Sequence, residues 1–455
     1  MPAPRAGAAS PAWRLPHPAQ NTSASFNRFP HWLQYGICQY IRDLGCAGSR
    51  PAAAGTLPQC PDPVHATIFG VRKLLPVLLG ALTRFGGHER GTCAAGQTGD
   101  RKGIPGNPRR KFISVPGLRP RRVSVLLLAL ACARALPAAR NLEIYAIDVE
   151  GGQATLFVTP AGESLLVDTG WPGPDHRDAG RIAAAAKAAG VRKIDYLLIT
   201  HYHNDHVGGV QGLAGKLPIV HFVDHGPQTE TGKDAEILYN EYLAFRAKGQ
   251  HILAKPGDTL PIKGMDVKVL SSAGQVIGAP LAGAGEANPA CEGYVRPPAD
   301  KTENGQSVGV LIAFGEFRMV DMGDLTKDRE FDLVCPVDKI GRVDLYLVSH
   351  HGMPMSGSPA FVRALDPHVA IVNNGPRKGG DAATWQTIRD TRGVLDIWQL
   401  HYAMGADKQH NAPDTFIANI DEACEAKWIQ VSVQKDGTFL VVNSRNRFQK
   451  IYTKK

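Results

Sequence analysis

His201-Tyr202-His203-Asn204-Asp205-His206-Val207-Gly208-Gly209 follows directly on the apolar run Ile194-Asp195-Tyr196-Leu197-Leu198-Ile199-Thr200. The run reads as a short buried strand. Three histidines and an aspartate therefore fall within six residues just past a strand end. Clustered imidazoles suit a core badly, because each needs a hydrogen-bond partner there. On extended backbone, residues i and i+2 point the same way, so His201 and His203 can hold one ion through neutral nitrogens. Asp205 and His206, after the chain turns, can face a second. Imidazole with carboxylate suits zinc or another first-row metal.

Outward from this stretch the chain alternates between strand and helix signals. Residues 142–147 and 154–158 read as strands, and 165–170 as a short buried strand ending at a glycine turn. Residues 176–189 are Ala-rich and predict a helix stopped at Gly190. Further strands are expected at 307–314, 317–320, 345–349, 369–372 and 398–402, with a hairpin of 429–433 and 438–442 turned by Lys435-Asp436-Gly437. Residues 233–248 and 358–365 look helical. A meander followed by alternating strands and helices predicts a layered α/β sandwich with mixed sheets over residues 141–455.

Charge separates this region from what precedes it. The 455 residues carry 51 Lys+Arg and 42 Asp+Glu, a net +9, but residues 1–140 alone hold +15 and residues 141–455 hold −6. The overall basic character is thus no argument for attraction to nucleic acid. Residues 1–114 are basic, rich in Pro and Gly, and show no sustained period. They are expected to be a poorly ordered leader that is not translated if the start lies further on. Residues 115–139 then supply a basic stretch (Arg119-Pro120-Arg121-Arg122), the apolar run Val123–Cys132 and a small-residue site near Ala133-Arg134-Ala135. These are the parts of a secretory signal peptide, implying a periplasmic or secreted protein if it is used and a cytoplasmic one otherwise. No transmembrane domain is expected. Cys291, Cys335 and Cys424 are too widely spaced for a disulfide framework or a CxxC metal site.

H-x-H-x-D-H followed by Gly-Gly after such a strand resembles the signature of the metallo-β-lactamase fold superfamily, and other landmarks occur in order through residue 375 or so. The resemblance implies an αββα four-layer sandwich of two mixed β-sheets flanked by helices. It implies that Asp168 supports the metal loop, that Asp324 bridges two metals and that His350 is the last metal ligand. His351 is then a substrate-facing proton donor. Two zinc ions are the implied cofactors, with manganese or iron as alternatives. Asp148-Val149-Glu150-Gly151-Gly152, Asn304-Gly305-Gln306-Ser307 and His350-His351-Gly352 are similar to the hydrolase domain of DNA-uptake competence proteins and its soluble relatives. Gln153 and Met353 depart from that pattern. A sixth ligand has three candidates, His221, His225 and His251; alternatively Asn304 or Ser307 lines the open face of the first metal.

The loop Val372-Asn373-Asn374-Gly375-Pro376-Arg377-Lys378-Gly379-Gly380 could offer amide and cationic donors to an anionic substrate, with Asn373 and Asn374 as contacts. Trp171 is a candidate pocket wall, and His401, ending its strand, could reach the pocket. The chemistry expected is hydrolysis of an ester, lactone, amide or phosphoester by a water activated between two metals, with Asp205 orienting the nucleophile. A phosphodiesterase or nuclease, and a metal-bearing protein without catalysis, are the alternatives. The acidic domain favours a small-molecule substrate over nucleic acid.

Overall fold

The structure is a computed structural model that describes residues 141–454; the leader 1–114 and the signal-like segment 115–139 lie outside the described residues. The first half runs β1 (Leu142–Ala146), β2 (Thr155–Val158), β3 (Ser164–Val167), α1 (Arg177–Ala188), β4 (Ile194–Leu198), α2 (Asn204–Val207), α3 (Val210–Ala214), β5 (Ile219–Asp224), α4 (Lys233–Arg246) and β6 (Gln250–Leu253). The second half begins with β7 (Thr259–Leu260), β8 (Asp266–Ser272), β9 (Gln275–Val276), β10 (Gly309–Phe314) and β11 (Phe317–Asp321). It continues through α5 (Lys327–Val334), β12 (Leu345–Leu347), α6 (Pro359–Leu365), β13 (Val369–Val372), α7 (Ala382–Arg389), β14 (Asp396–His401) and β15 (Ile417–Asn419). The chain then returns to the first sheet through β16 (Ile429–Val433), β17 (Phe439–Asn443) and β18 (Gln449–Tyr452).

One sheet has the order β18-β17-β16-β1-β2-β3-β4-β5-β6, the other β15-β14-β13-β12-β11-β10-β8-β7, with β9 beside β8. Each is antiparallel on one side and parallel on the other. The parallel strands are β3 to β6 in the first sheet and β11 to β15 in the second. Side chains alternate across every strand, so each sheet feeds two cores. Leu165 and Val167 point between the sheets, toward a set that includes Val310, Met319 and Ile371. Leu166 points the other way, to Ile182 of α1, Leu213 of α3 and Tyr242 of α4. On the far side, Val320, Tyr346 and Ala370 pack under Leu333, Phe361 and Ile388 of α5, α6 and α7. Burial on both faces explains why the parallel strands read as continuous apolar runs. The result is the expected αββα four-layer sandwich.

Two features were not legible. The short strands β6 to β9 and helices α5 and α7 carry too little apolar periodicity to be recognised alone. Cys291 and Cys335, which looked unconnected, form a disulfide across a separation of 44 residues. The pairing depends on the turn Pro289–Cys291 folding back against the end of α5, an approach that only the tertiary structure makes.

Candidate metal centre

The parallel strands of both sheets discharge their chemistry at their carboxyl ends, the usual place for a site in an α/β sheet. Asp168 follows β3, His201 to His206 follow β4, Asp324 follows β11, and His350 and His351 follow β12. The two sheets are tied together here: Val308 N, leading into β10, donates to Thr200 O at 2.8 Å.

Close approach dictates the glycines. A Cβ at Gly208 would lie 2.2 Å from Pro172 Cδ, and one at Gly209 would lie 2.0 Å from Thr169 O. The Gly-Gly pair therefore lets the metal loop lie flat on the 168–172 segment. Thr169 N donates to His206 O and Gln153 N to Asp205 O, at 2.7 and 3.0 Å. Asp168 adopts a left-handed backbone, φ 60°, which turns its carboxylate under the loop. One oxygen accepts from Thr200 N, the other from Thr200 Oγ1 and His206 Nδ1 at 2.7 Å each. Fixing Nδ1 as the proton-bearing nitrogen leaves His206 Nε2 free as a ligand atom.

Asp205, His206, Asp324 and His351 form one buried group whose ligand atoms lie within 4.8 Å of one another. His206 Nε2 is 3.3 Å from both Asp205 Oδ2 and Asp324 Oδ1. His351 Nε2 is 3.2 Å from Asp205 Oδ2 and 3.4 Å from Asp324 Oδ1. The other oxygen of Asp324 faces a second set: His350 Nε2 at 3.2 Å and His201 Nε2 at 3.9 Å. His201 Nε2 is in turn 3.0 Å from His203 Nδ1, whose Nε2 meets Glu230 at 3.2 Å. Asp324 thus stands between the two sets with one oxygen toward each.

The donor set fits divalent metal. Asp324 Oδ1 is buried without a hydrogen-bond partner, although His206 and His351 lie within 3.4 Å of it. Burial works against charge on His206, yet Asp324, Asp205 and Asp168 together hold its pKa well above the ordinary imidazole value. The centre draws positive charge to itself. Burial pushes Asp324 up, but His206, His351 and His350 outweigh it and hold its carboxyl well below the usual range. His201, desolvated beside His206, is pushed well down, and burial lowers His350 to about 4. Both rings favour the neutral, ligating form. His201, His203 and His350 with Asp324 could hold one ion, and Asp205, His206 and His351 with Asp324 the other.

Both histidines of the pair face the candidate centre: His351 joins Asp205 and His206, and His350 turns to the other oxygen of Asp324. Strand alternation would send successive side chains to opposite faces, but both residues are left-handed, φ 55° and 56°. The chain curls at the end of β12 and both rings enter the site.

The candidates for a further ligand go elsewhere. His225 binds Glu303 at 2.9 Å, His221 stacks on Tyr196 with centroids 4.5 Å apart, and His251 binds Asp224 at 2.9 Å. Sequence reasoning missed Glu303, which accepts from Tyr202 N, His225 and Thr229 and so props the loop from beneath. Asn304 Oδ1 and Ser307 Oγ are buried and unpartnered. Asn373 Nδ2 binds Gln153 Oε1 at 3.1 Å, leaving Asn373 Oδ1 unpartnered. Asn374 is a brace, donating to Gly375 O and His401 O. Of the cations in that loop, Arg377 pairs outward with Glu422, whereas Lys378 turns in to Asp205 and lies 5.0 Å from the centroid of the Trp171 ring.

The fold and the candidate metal centre together are of the metallo-β-lactamase type. Residues 147–292 match the family model of the metallo-beta-lactamase superfamily. The chain is similar to ComE operon protein 3 of Bacillus subtilis (strain 168), 26% identical over 41% of this chain and 21% of that protein. It is also similar to competence protein ComA of Neisseria gonorrhoeae, 25% identical over 57% of this chain and 31% of that protein. It therefore spans less than a third of either relative. A shorter match, 41% identical over 66 residues, links 14% of this chain to 26% of hydroxyacylglutathione hydrolase of Yersinia pestis (strain Pestoides F).

Proposed function

We propose that this domain is a hydrolase of a small anionic ester, lactone, amide or phosphoester, working with two divalent metal ions, zinc first among them. The observation that carries this is the convergence of Asp205, His206, Asp324 and His351 in one buried group, with a second imidazole set on the other oxygen of Asp324. When bound, such ions supply Lewis acidity and make water a nucleophile near neutral pH. The protein's own residues do the rest. Asp168 fixes the tautomer of His206, and Glu230 does the same for His203. Lys378, flanked by Trp171, holds an acidic group of the substrate beside Asp205. Asn373 Oδ1, Asn304 Oδ1 and Ser307 Oγ, all unpartnered, are available to orient water or substrate. His351 is committed to the ligand group and is no longer needed as a proton donor.

A second reading, cleavage of phosphodiesters in nucleic acid, is favoured by the similarity to two competence proteins. The acidic domain weighs against it. Assays of a chromogenic phosphodiester, a cephalosporin, a lactone and single-stranded DNA, each with zinc and with manganese, separate the two. Metal-dependent turnover of a small substrate that Asp205→Ala abolishes supports the first reading. Cleavage of DNA alone replaces it with the second.

We also infer an extracytoplasmic location. The Cys291–Cys335 disulfide belongs to oxidising compartments, in keeping with the signal-like composition of residues 115–139. Among the described residues, no helix is long and apolar enough to cross a membrane.

A further inference from the structure

Behind the Gly151-Gly152 turn a second group of ligand-type side chains converges, and it shares no residue with the first. Asp148 ends the stretch after β1, His401 ends β14, and Cys424 lies on the loop between β15 and β16. Their ligand atoms lie within 4.8 Å of one another. Asp148 and His401 are fully buried. Cys424 Sγ donates to Asp148 Oδ2 at 3.0 Å and is 3.5 Å from Glu150 Oε1. His401 Nε2 lies 2.8 Å from Asp148 Oδ1, yet neither ring nitrogen makes a well-directed hydrogen bond. A buried imidazole facing a carboxylate without hydrogen-bond alignment is the pattern also found around Asp324 in the first centre.

We propose that Asp148, His401 and Cys424 form a separate structural site for one thiophilic divalent cation, with Glu150 or water as fourth donor. A Cys, His and carboxylate set is one that zinc and cobalt(II) accept. Asp148, Glu150 and a Cys424 thiolate present three negative charges, against one each on Arg181 and Arg177, both of which pair with Glu150, and two on the cation. Arg181 already binds Asp148 Oδ2 at 2.9 Å, Glu150 at 2.7 Å and Cys424 Sγ at 3.3 Å. It takes the outer side of the group and leaves Asp148 Oδ1 and His401 Nε2 to the metal. Binding breaks the Cys424 S–H bond and forms a metal–sulfur bond, the proton leaving to solvent, with no oxidant or reductant involved.

The consequence is mechanical. The site joins the loop of Cys424 to β1 and β14 directly beneath the substrate-side loops. Asn374 Nδ2 donates to His401 O at 2.9 Å, and a Cβ at Gly375 would lie 2.4 Å from the Glu150 carbonyl carbon. A cation here would hold the floor of the Asn373–Lys378 loop in place, since metal binding contributes directly to the stability of the segments it joins.

Cobalt(II) titration of the metal-free full chain tests this. The thiolate of Cys424 should contribute a near-ultraviolet sulfur-to-cobalt charge-transfer band, seen as intensity lost in Cys424→Ser and in Asp148→Asn relative to the unaltered protein. Each variant should bind one equivalent fewer than the unaltered protein while keeping the equivalents of the first centre. Charge-transfer intensity undiminished in Cys424→Ser or in Asp148→Asn, or an unchanged metal count, would overturn the proposal, since Cys38, Cys46, Cys60, Cys93 and Cys132 are common to every variant. Cys424 is only part-buried, so its replacement by serine leaves the core intact. Its metal count therefore decides the matter even where Asp148→Asn does not fold.

Discussion

His206 and His351, 145 residues apart in sequence, present their Nε2 atoms to one another at 3.2 Å, and both face Asp324 Oδ1. One comes from the first sheet and one from the second, so the centre forms only when the two halves of the sandwich close.

His351→Ala should therefore cost one metal equivalent per chain and abolish hydrolysis. His350→Ala should spare that equivalent and weaken the one held by His201 and His203. Elemental analysis of the purified variants separates the two, and identical losses in both would refute the assignment.

Asp168 touches no substrate, but it fixes the Nδ1 proton of His206. Partners of this kind commonly contribute about 10–100-fold to metal affinity or activity. Asp168→Asn should weaken metal binding by that order in a chelator competition, with the far-ultraviolet circular dichroism of the fold unchanged.

Lys378 is the cation of its loop that turns inward. Lys378→Met should raise KM for anionic substrates by about tenfold, equivalent to roughly 1.4 kcal/mol, and leave neutral esters nearly unaffected. Equal effects on both would assign Lys378 to the metal loop alone.

Glu330, fully buried in α5, accepts from Gly357 N and Ser358 N, and burial raises its carboxyl to about 7. Because the folded value is raised, the native state holds this proton more tightly than the unfolded chain. Its contribution is intact below about pH 4.5 and is lost as pH rises through 7. The loss is of order 3 kcal/mol by pH 8. Urea unfolding at pH 5 and pH 8 should show that fall in the unaltered protein and a smaller one in Glu330→Gln.

The Cys291–Cys335 disulfide closes 44 residues. Loop-closure entropy for that length corresponds to about 4 kcal/mol. The double variant Cys291→Ala/Cys335→Ala should lower the urea midpoint accordingly, with metal content preserved.

The two-sheet sandwich was legible because its parallel strands are buried on both faces and read as unbroken apolar runs ending in polar residues. The H-x-H-x-D-H stretch was legible because its donors are adjacent in sequence, where local backbone periodicity alone decides which way they point. The partners that complete the centre come from far along the chain. Asp324 and Asp168 could be placed only through resemblance. Both His350 and His351 face the site because two consecutive residues are left-handed, with His350 N donating to Gly323 O and Gly380 N to His351 O, a conformation that strand alternation does not foresee. Contacts of Glu303 beneath the loop, the inward turn of Lys378, the Cys291–Cys335 pairing and the Asp148–His401–Cys424 group are likewise products of tertiary structure. Sequence periodicity alone pointed to a layered α/β sandwich with mixed sheets and to the cluster of four candidate donors at 201–206, since both follow from short-range pattern. The four-layer form came through resemblance. Closure of one sheet on the other decided the rest, because side chains more than a hundred residues apart acquire a relative position only when the core between them is packed.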